Sequence, residues 1–282
     1  MSYPSPRALL ARYGLRAKKS WGQNFLGDEA ILDSIAALAV TAPGERVVEL
    51  GAGLGHLTAC LLARGAEVVA VERDRDMARV LRGELGDRVA VLEANAVRID
   101  YAALAAAPPA VPRLAVVGNL PYHLTSPILF GLLDQAGSVS RAVFLLQREV
   151  AERLAAAPGT KEWGLLSVLL QERAAVSIER IVPPGAFHPP PRVESAVVRI
   201  AFGPAQAGTV DPARLRRLVK AGFGQRRKTL ANALAGARIA PPGALAGALS
   251  QAGVDGKRRG ETLTVAEWTA LARALALAER EG

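Results

Sequence analysis

Cysteine is all but missing from this 282-residue chain, where Cys60 stands alone. An internal disulfide and a cysteine-based zinc cluster are therefore excluded. Cys60 itself reads as a small buried residue of a helix. The three histidines, His56, His123 and His188, are scattered, which argues against a metal site. Every apolar run is interrupted by Arg or Lys, so none is long enough to span a membrane. Met1 to Arg12 lack the apolar core of a signal peptide. These absences together lead us to expect a reducing, cytoplasmic setting.

Acidic residues are also unevenly missing. Residues 1–27 hold five Lys/Arg and no acid, and residues 203–282 hold thirteen against six. The middle, 28–202, has seventeen Lys/Arg against twenty acids, so the net charge of +9 comes entirely from the two ends. Such flanks suit a polyanionic partner, nucleic acid first, although a soluble Arg-rich surface has the same composition.

What is present is a globular chain, 50% hydrophobic. Residues 7–19 read as a basic arm or short helix, followed by a polar and aromatic loop from Ser20 to Asp28. Asp28 is placed to cap a helix from Glu29 to Ala39. Beyond it, strand patterns at 46–50, 67–71, 89–92, 114–117 and 141–146 alternate with helical ones. That alternation predicts an α/β fold with a parallel sheet and helices on both faces. Strands are also expected at 176–181 and 193–201. The proline-rich stretch between them, 183–191, is predicted to be a rigid loop without regular structure. The composition shifts at 203–208, and only helical patterns follow. We therefore expect two domains, 1–202 and a small helical domain at 203–282.

Gly118-Asn119-Leu120-Pro121-Tyr122 ends the fourth strand. It places an Asn amide, free carbonyls and an aromatic face where ligands sit in open α/β sheets. Such a set suits a planar heterocycle carrying an amino group. A capped tight turn explains the same five residues equally well. Glu49-x-Gly51-x-Gly53-x-Gly55 follows the first strand, with His56 in place of the third glycine of a dinucleotide motif. An acid before the glycines suits a cationic amino group, such as that of S-adenosylmethionine, and repels a pyrophosphate. Glu72, at the end of the next strand, has the spacing of a ribose-binding carboxylate. Its plain alternative is an exposed strand-end charge. A nicotinamide dehydrogenase would need the missing glycine and a catalytic acid–base pair.

These motifs, with Gly22-Gln23-Asn24-Phe25-Leu26, Phe187-His188-Pro189-Pro190-Pro191 and Phe223 to Leu230, resemble those of the small-subunit ribosomal RNA adenine dimethyltransferases. The matching stretches run in family order over nearly the whole chain. The resemblance implies a Rossmann-like, class I methyltransferase domain that uses S-adenosylmethionine and no metal. It implies that Gln23, Asn24, Leu26, Glu49, Gly51, Gly53, Glu72 and Asn95 line the methyl-donor site, with Asn119 also reaching it. Asn95 stands where the family commonly has Asp. Asn119 and the Leu120 carbonyl would hold the target N6, with Pro121 in the same catalytic set and Tyr122 and Phe187 on the two faces of the base. Lys18, Lys19, Arg226, Arg227 and Lys228 would contact RNA. The implied targets are two adjacent adenines in a hairpin near the 3′ end of small-subunit RNA, within an assembling 30S particle; a monomer is the default expectation. Two alternatives stay open: a large-subunit RNA methylase of the antibiotic-resistance type, and a donor-binding assembly factor whose main work is RNA binding.

Overall fold

The computed structural model describes residues 3–18, 21–203, 210–225 and 227–281, with side chains up to 278. Lys19, Arg226 and most of the expected linker, 204–208, lie outside the described residues. The chain divides into two compact units. One holds the residues up to 151 together with 175–203, and the other holds 152–174 together with the tail beyond 203.

The first unit opens with helix α1 (Pro6–Arg12) and a two-residue strand β1 (Phe25–Leu26), followed by α2 (Glu29–Ala39). The Asp28 carboxylate caps α2 by accepting from the Ile31 amide at 3.0 Å. Strands and helices then alternate: β2 (Arg46–Leu50), α3 (His56–Ala63), β3 (Glu67–Val71), α4 (Arg75–Leu85) and β4 (Ala90–Leu92). They continue with α5 (Tyr101–Ala106), β5 (Leu114–Asn119), α6 (Thr125–Asp134) and β6 (Val139–Gln147). After α7 (Arg148–Leu154) and α8 (Leu165–Arg173) come β7 (Ala174–Val182), β8 (Phe187–His188) and β9 (Ser195–Phe202).

The main sheet has the order β4-β3-β2-β5-β6-β9-β7. Neighbours from β4 to β6 are parallel, as the alternating pattern requires. The chain lays down β2, β3 and β4 in one direction, then β5 and β6 in the other. The order reverses between β2 and β5, which opens a crevice at their carboxyl ends. The parallel sheet expected from the alternation is found from β4 to β6, and β9, for which the pattern set no direction, runs antiparallel to β6. This strand follows the proline stretch directly, without the crossover helix that a parallel return needs.

The proline stretch also differs from the expected irregular loop. Phe187 and His188 pair with Leu26 and Phe25 as an antiparallel two-strand ladder. Prolines flank this pair on both sides and lack amide donors, but Phe187 and His188 retain theirs. A ladder confined to those two residues is what the sequence permits.

At the amino ends of the strands, arginines hold the loops. Arg46, buried, donates to the Leu104, Ala107 and Pro109 carbonyls at 2.8–2.9 Å and to the Glu67 carboxylate. Arg141, also buried, donates to the Ala39 carbonyl and pairs with Glu45. The hydroxyl and amide of Thr41 hold that Glu45 carboxylate in turn.

The second unit comprises α8, α9 (Pro212–Phe223), α10 (Leu230–Gly236), α11 (Pro242–Gln251) and α12 (Val265–Glu281). Its centre is Trp268, fully buried, with its ring stacked on Phe223 at 6.0 Å. Asp211 and Thr229 cap α9 and α10. Thr264 and Glu267 form a reciprocal capping box at the start of α12. The expected boundary at 202/203 therefore marks only one of the places where the chain changes unit. Residues 152–174 belong with the tail, because α8 packs on α9 and α12 and the buried Trp163 donates to the Leu263 carbonyl at 3.2 Å. A stripe of leucines in α8 reads the same in sequence whichever core it enters. Among the described residues, no helix is long and apolar enough to cross a membrane.

Candidate functional site

Two adjoining cavities occupy the crevice at the carboxyl ends of β2, β3 and β5, both within the first unit. They share Trp21, Gly51, Glu72, Leu120 and Pro121. The first is closed by Gln23, Asn24, Leu26, Glu49, Gly53, Asn119, Tyr122 and Phe187. The second extends over Val71, Arg73, Ala94, Asn95, His123 and Ile128. All the site residues expected in the first domain therefore meet at this crevice except Lys18 and Lys19, the latter being undescribed.

The glycine turn is built for close approach. Gly51, Gly53 and Gly55 all take φ between +56° and +85°, which L side chains resist. The Gly53 amide donates to Glu72 Oε2 at 2.9 Å, and the Asp74 amide donates to Oε1 at 2.7 Å. Glu72 is 8% exposed, so it is not the exposed strand-end charge that the sequence left open. Burial holds its carboxyl above the usual range despite those two amides.

Glu49 is more extreme. It is wholly buried, and its only hydrogen-bond donor among the described residues is Thr58 Oγ1 at 2.5 Å. Burial first, and Glu72 second, push its carboxyl up to about 8. Neither acid forms an ion pair among the described residues. Two buried carboxyls beside an open cavity, with no cation of their own, make a receptor for a ligand that carries positive charge. Thr58 closes the same stretch of sequence, nine residues after Glu49, but the sequence reading gave it no role.

At the end of β5, Gly118 is required for a different reason. A Cβ there would lie 2.5 Å from the Leu50 carbonyl oxygen, so any larger residue would force β5 away from the glycine turn. The next residue, Asn119, donates its Nδ2 to the Asn24 carbonyl at 2.8 Å. That bond fixes which end of the amide is which and leaves Oδ1 as the acceptor. Leu120 is buried, and its amide donates to the Leu145 carbonyl at 3.2 Å. Tyr122 is half-buried at the cavity wall, and Phe187 is buried and held by the β1–β8 ladder.

The loop over the crevice is tied down by polar bonds. Gln23 Nε2 donates to Asp74 at 2.9 Å, and Gln23 Oε1 accepts from the Lys18 amide at 2.8 Å. Lys18 Nζ pairs with Asp74 and Asp76, both at 2.8 Å. Lys18 was expected to contact RNA; its ammonium is paired with two carboxylates and anchors the loop. Gln23 lines the cavity but has its amide engaged in the same anchor. Asp74, unremarked in sequence, caps α4 and serves both partners.

Asn95 lies where it was expected, in the second cavity, with its Oδ1 accepting from the Val97 amide at 3.1 Å. His123 lines that cavity too, although the sequence suggested no role for it. His56 is buried, its Nε2 donates to the Pro4 carbonyl at 2.9 Å, and burial lowers its pKa. It is a neutral packing residue against Tyr3.

In the second unit, Arg227 and Lys228 are exposed just before Thr229, while Arg226 is undescribed. Arg258, in the basic run Lys257-Arg258-Arg259, is paired with Glu267.

Residues 14–277 match the family model described as ribosomal RNA adenine dimethylase. The chain is 72% identical over 279 residues to the ribosomal RNA small subunit methyltransferase A of Anaeromyxobacter dehalogenans strain 2CP-C, covering 97% of this chain and 98% of the relative. A dimethyladenosine transferase from Plasmodium falciparum has a similar fold, with a TM-score of 0.76 at 22% identity, over 90% of this chain and 98% of that one. The 23S rRNA methyltransferase ErmE gives 0.68 at 27% identity, over 90% and 100%.

Proposed function

The chain belongs to the ribosomal RNA adenine dimethylases, and from that premise we propose that it converts two adjacent adenines in the 3′-terminal hairpin of small-subunit RNA to N6,N6-dimethyladenosine. The substrate is the assembling 30S particle, the enzyme acts as a cytoplasmic monomer, and methylation accompanies small-subunit biogenesis. The observation that carries this reading is the pairing of an oriented Asn119 amide with an uncompensated pair of buried acids in one crevice.

The residues fit S-adenosylmethionine. Glu49 and Gly51 would hold its charged methionine end, Glu72 its ribose, and Asn95 its base. When bound, it supplies a methyl group on a positively charged sulfur, which is already a good leaving group. The protein's task is then to present the amine. An adenine amino group is a weak nucleophile because its lone pair is delocalised into the ring. Asn119 Oδ1 accepting an N6 hydrogen, with the Leu120 carbonyl accepting the other, localises that lone pair and aims it. Tyr122 and Phe187 hold the ring between them. Each transfer breaks the methyl–sulfur bond and leaves one excess proton on N6, which passes to water without a dedicated general base, and positioning carries most of the rate. The target base must leave its stack, so a loop adenine is the fitting substrate.

The test is nucleoside mass spectrometry of small subunits lacking dimethyladenosine, after incubation with the protein and S-adenosylmethionine. Appearance of N6,N6-dimethyladenosine in small-subunit RNA is the expected result. The likeness to ErmE supports a second reading, methylation of large-subunit RNA. Product in that RNA alone would establish it, and particle binding with no product in either RNA would favour an assembly factor.

A further inference from the structure

Three tryptophans occur in the chain, and two are buried in the helical unit: Trp163 at 1% and Trp268 at 0% exposure. Trp21 is the third, 40% exposed, and it lines both cavities of the crevice. An indole this exposed loses apolar burial, so its place on an anchored loop needs a reason. The anchor is substantial, because Lys18 and Gln23 on either side of Trp21 are bound to Asp74. Two cations approach the indole: Lys18 Nζ at 5.5 Å from the ring centroid and the Arg73 guanidinium at 5.6 Å. Lys18 is neutralised by Asp74 and Asp76. Arg73 is exposed and forms no ion pair among the described residues.

A fixed, exposed aromatic face beside an unneutralised guanidinium is the composition of a single-stranded nucleic-acid groove. The inner walls already serve the two ligands assigned to the crevice. Val71, Ala94 and Ile128 provide apolar surface in the second cavity, and Tyr122 and Phe187 provide it in the first. Trp21 stands at the rim common to both.

We infer that Trp21 and Arg73 form a further nucleotide subsite, which takes the unstacked nucleotide next to the target adenine. The indole stacks under its base and the guanidinium meets its phosphate. This rests on the proposed RNA adenine methylation. It adds a function for the rim: an adenine flipped into the pocket leaves its neighbour without a stacking partner on one side, and Trp21 replaces that partner. With two adjacent target adenines, the neighbour is itself a substrate, so the subsite holds one target while the other reacts.

The experiment measures kcat and KM for undermethylated small subunits, and separately the Kd for S-adenosylmethionine by calorimetry, for wild type, W21A, W21F and R73Q. Expected for W21A is a rise in particle KM of about tenfold, the lower part of the range for losing one base–aromatic stack. Donor Kd rises much less than KM, and an unchanged thermal unfolding midpoint shows that the variant is folded. W21F recovers most of the KM. R73Q flattens the salt dependence of KM by about one phosphate contact. The inference is overturned if W21A leaves KM unchanged, or if donor Kd rises as much as KM, which would place the indole on the donor. If wild type itself produces no dimethyladenosine in these particles, the proposed function has failed instead, and the two failures are distinct.

Discussion

The two ends of the same sheet are built from opposite charges used in opposite ways. At the amino ends, Arg46 and Arg141 are buried, and each donates to a carboxylate and to backbone carbonyl oxygen, three carbonyls for Arg46 and that of Ala39 for Arg141. At the carboxyl ends, Glu49 and Glu72 are buried with amides or a hydroxyl and no cation. The arginine end is complete in itself. The glutamate end is complete only with a ligand of positive charge. The contrast separates structural burial of charge from functional burial, although both leave the same low exposure.

Four changes would test that division. The largest effect is expected for Asn119→Ala, which removes the acceptor proposed to face the target amine. Methyl transfer should fall on the order of a hundred- to a thousandfold, with little change in the urea midpoint. A midpoint collapse equal to that of an arginine variant would erase the distinction. Arg46→Ala should do the reverse. Leaving Glu67 and three loop carbonyls without their donor should cost roughly 3 kcal/mol in denaturant unfolding, while the folded fraction keeps its kcat/KM.

Glu49→Gln sharpens the comparison through pH. In the empty site Glu49 is protonated below about 8. A cationic ligand favours the carboxylate, so binding below that pH releases a proton. Donor affinity should climb with pH, approaching tenfold per unit, and level off near 8. The Gln variant should bind more weakly and lose most of that slope in calorimetry run across buffers. Stability has the opposite sign. The raised pKa gives stability that is full below about 4.5 and declines as pH rises towards 8, and the Gln variant should not show this decline. The smallest effect is expected for the paired change R227Q and K228Q in the helical unit. It should lower the slope of log affinity for RNA against log salt by about two and leave donor binding untouched. An unchanged slope would remove these residues from the RNA contact.

Much of the glutamate end was readable because it is local. Glu49, Gly51 and Gly53 sit within five residues, and Glu72 follows at the spacing fixed by one crossover. The backbone demands of that turn restrict which residues can occupy it, so they leave a trace in sequence. Asn119 and Tyr122 were legible for the same reason, as strand-end residues after a buried run. The pairs that were not legible join distant segments. Lys18 meets Asp74 and Asp76 across more than fifty residues, and nothing in a basic arm tells a lysine bound to carboxylates from one reserved for phosphate. Phe187 and His188 looked irregular because prolines surround them, and only the presence of Phe25–Leu26 gives their amides partners. Residues 152–174 joined the tail for a similar reason, since leucine spacing records a helix face but not the core that receives it.

The ladder between Phe25–Leu26 and Phe187–His188 also has a consequence for the order of events during synthesis. The floor of the crevice, from β2 to β5, lies within the first 119 residues and can form as that part of the chain emerges. Its roof cannot, because half of the ladder is made some 160 residues after the other half. Contacts of such sequence separation close late. A nascent chain halted before residue 187 would carry its glycine turn and Asn119 under an arm with no strand to pair with. Competence to enclose a base is therefore acquired at one step near the end of translation of this unit, not gradually along the chain.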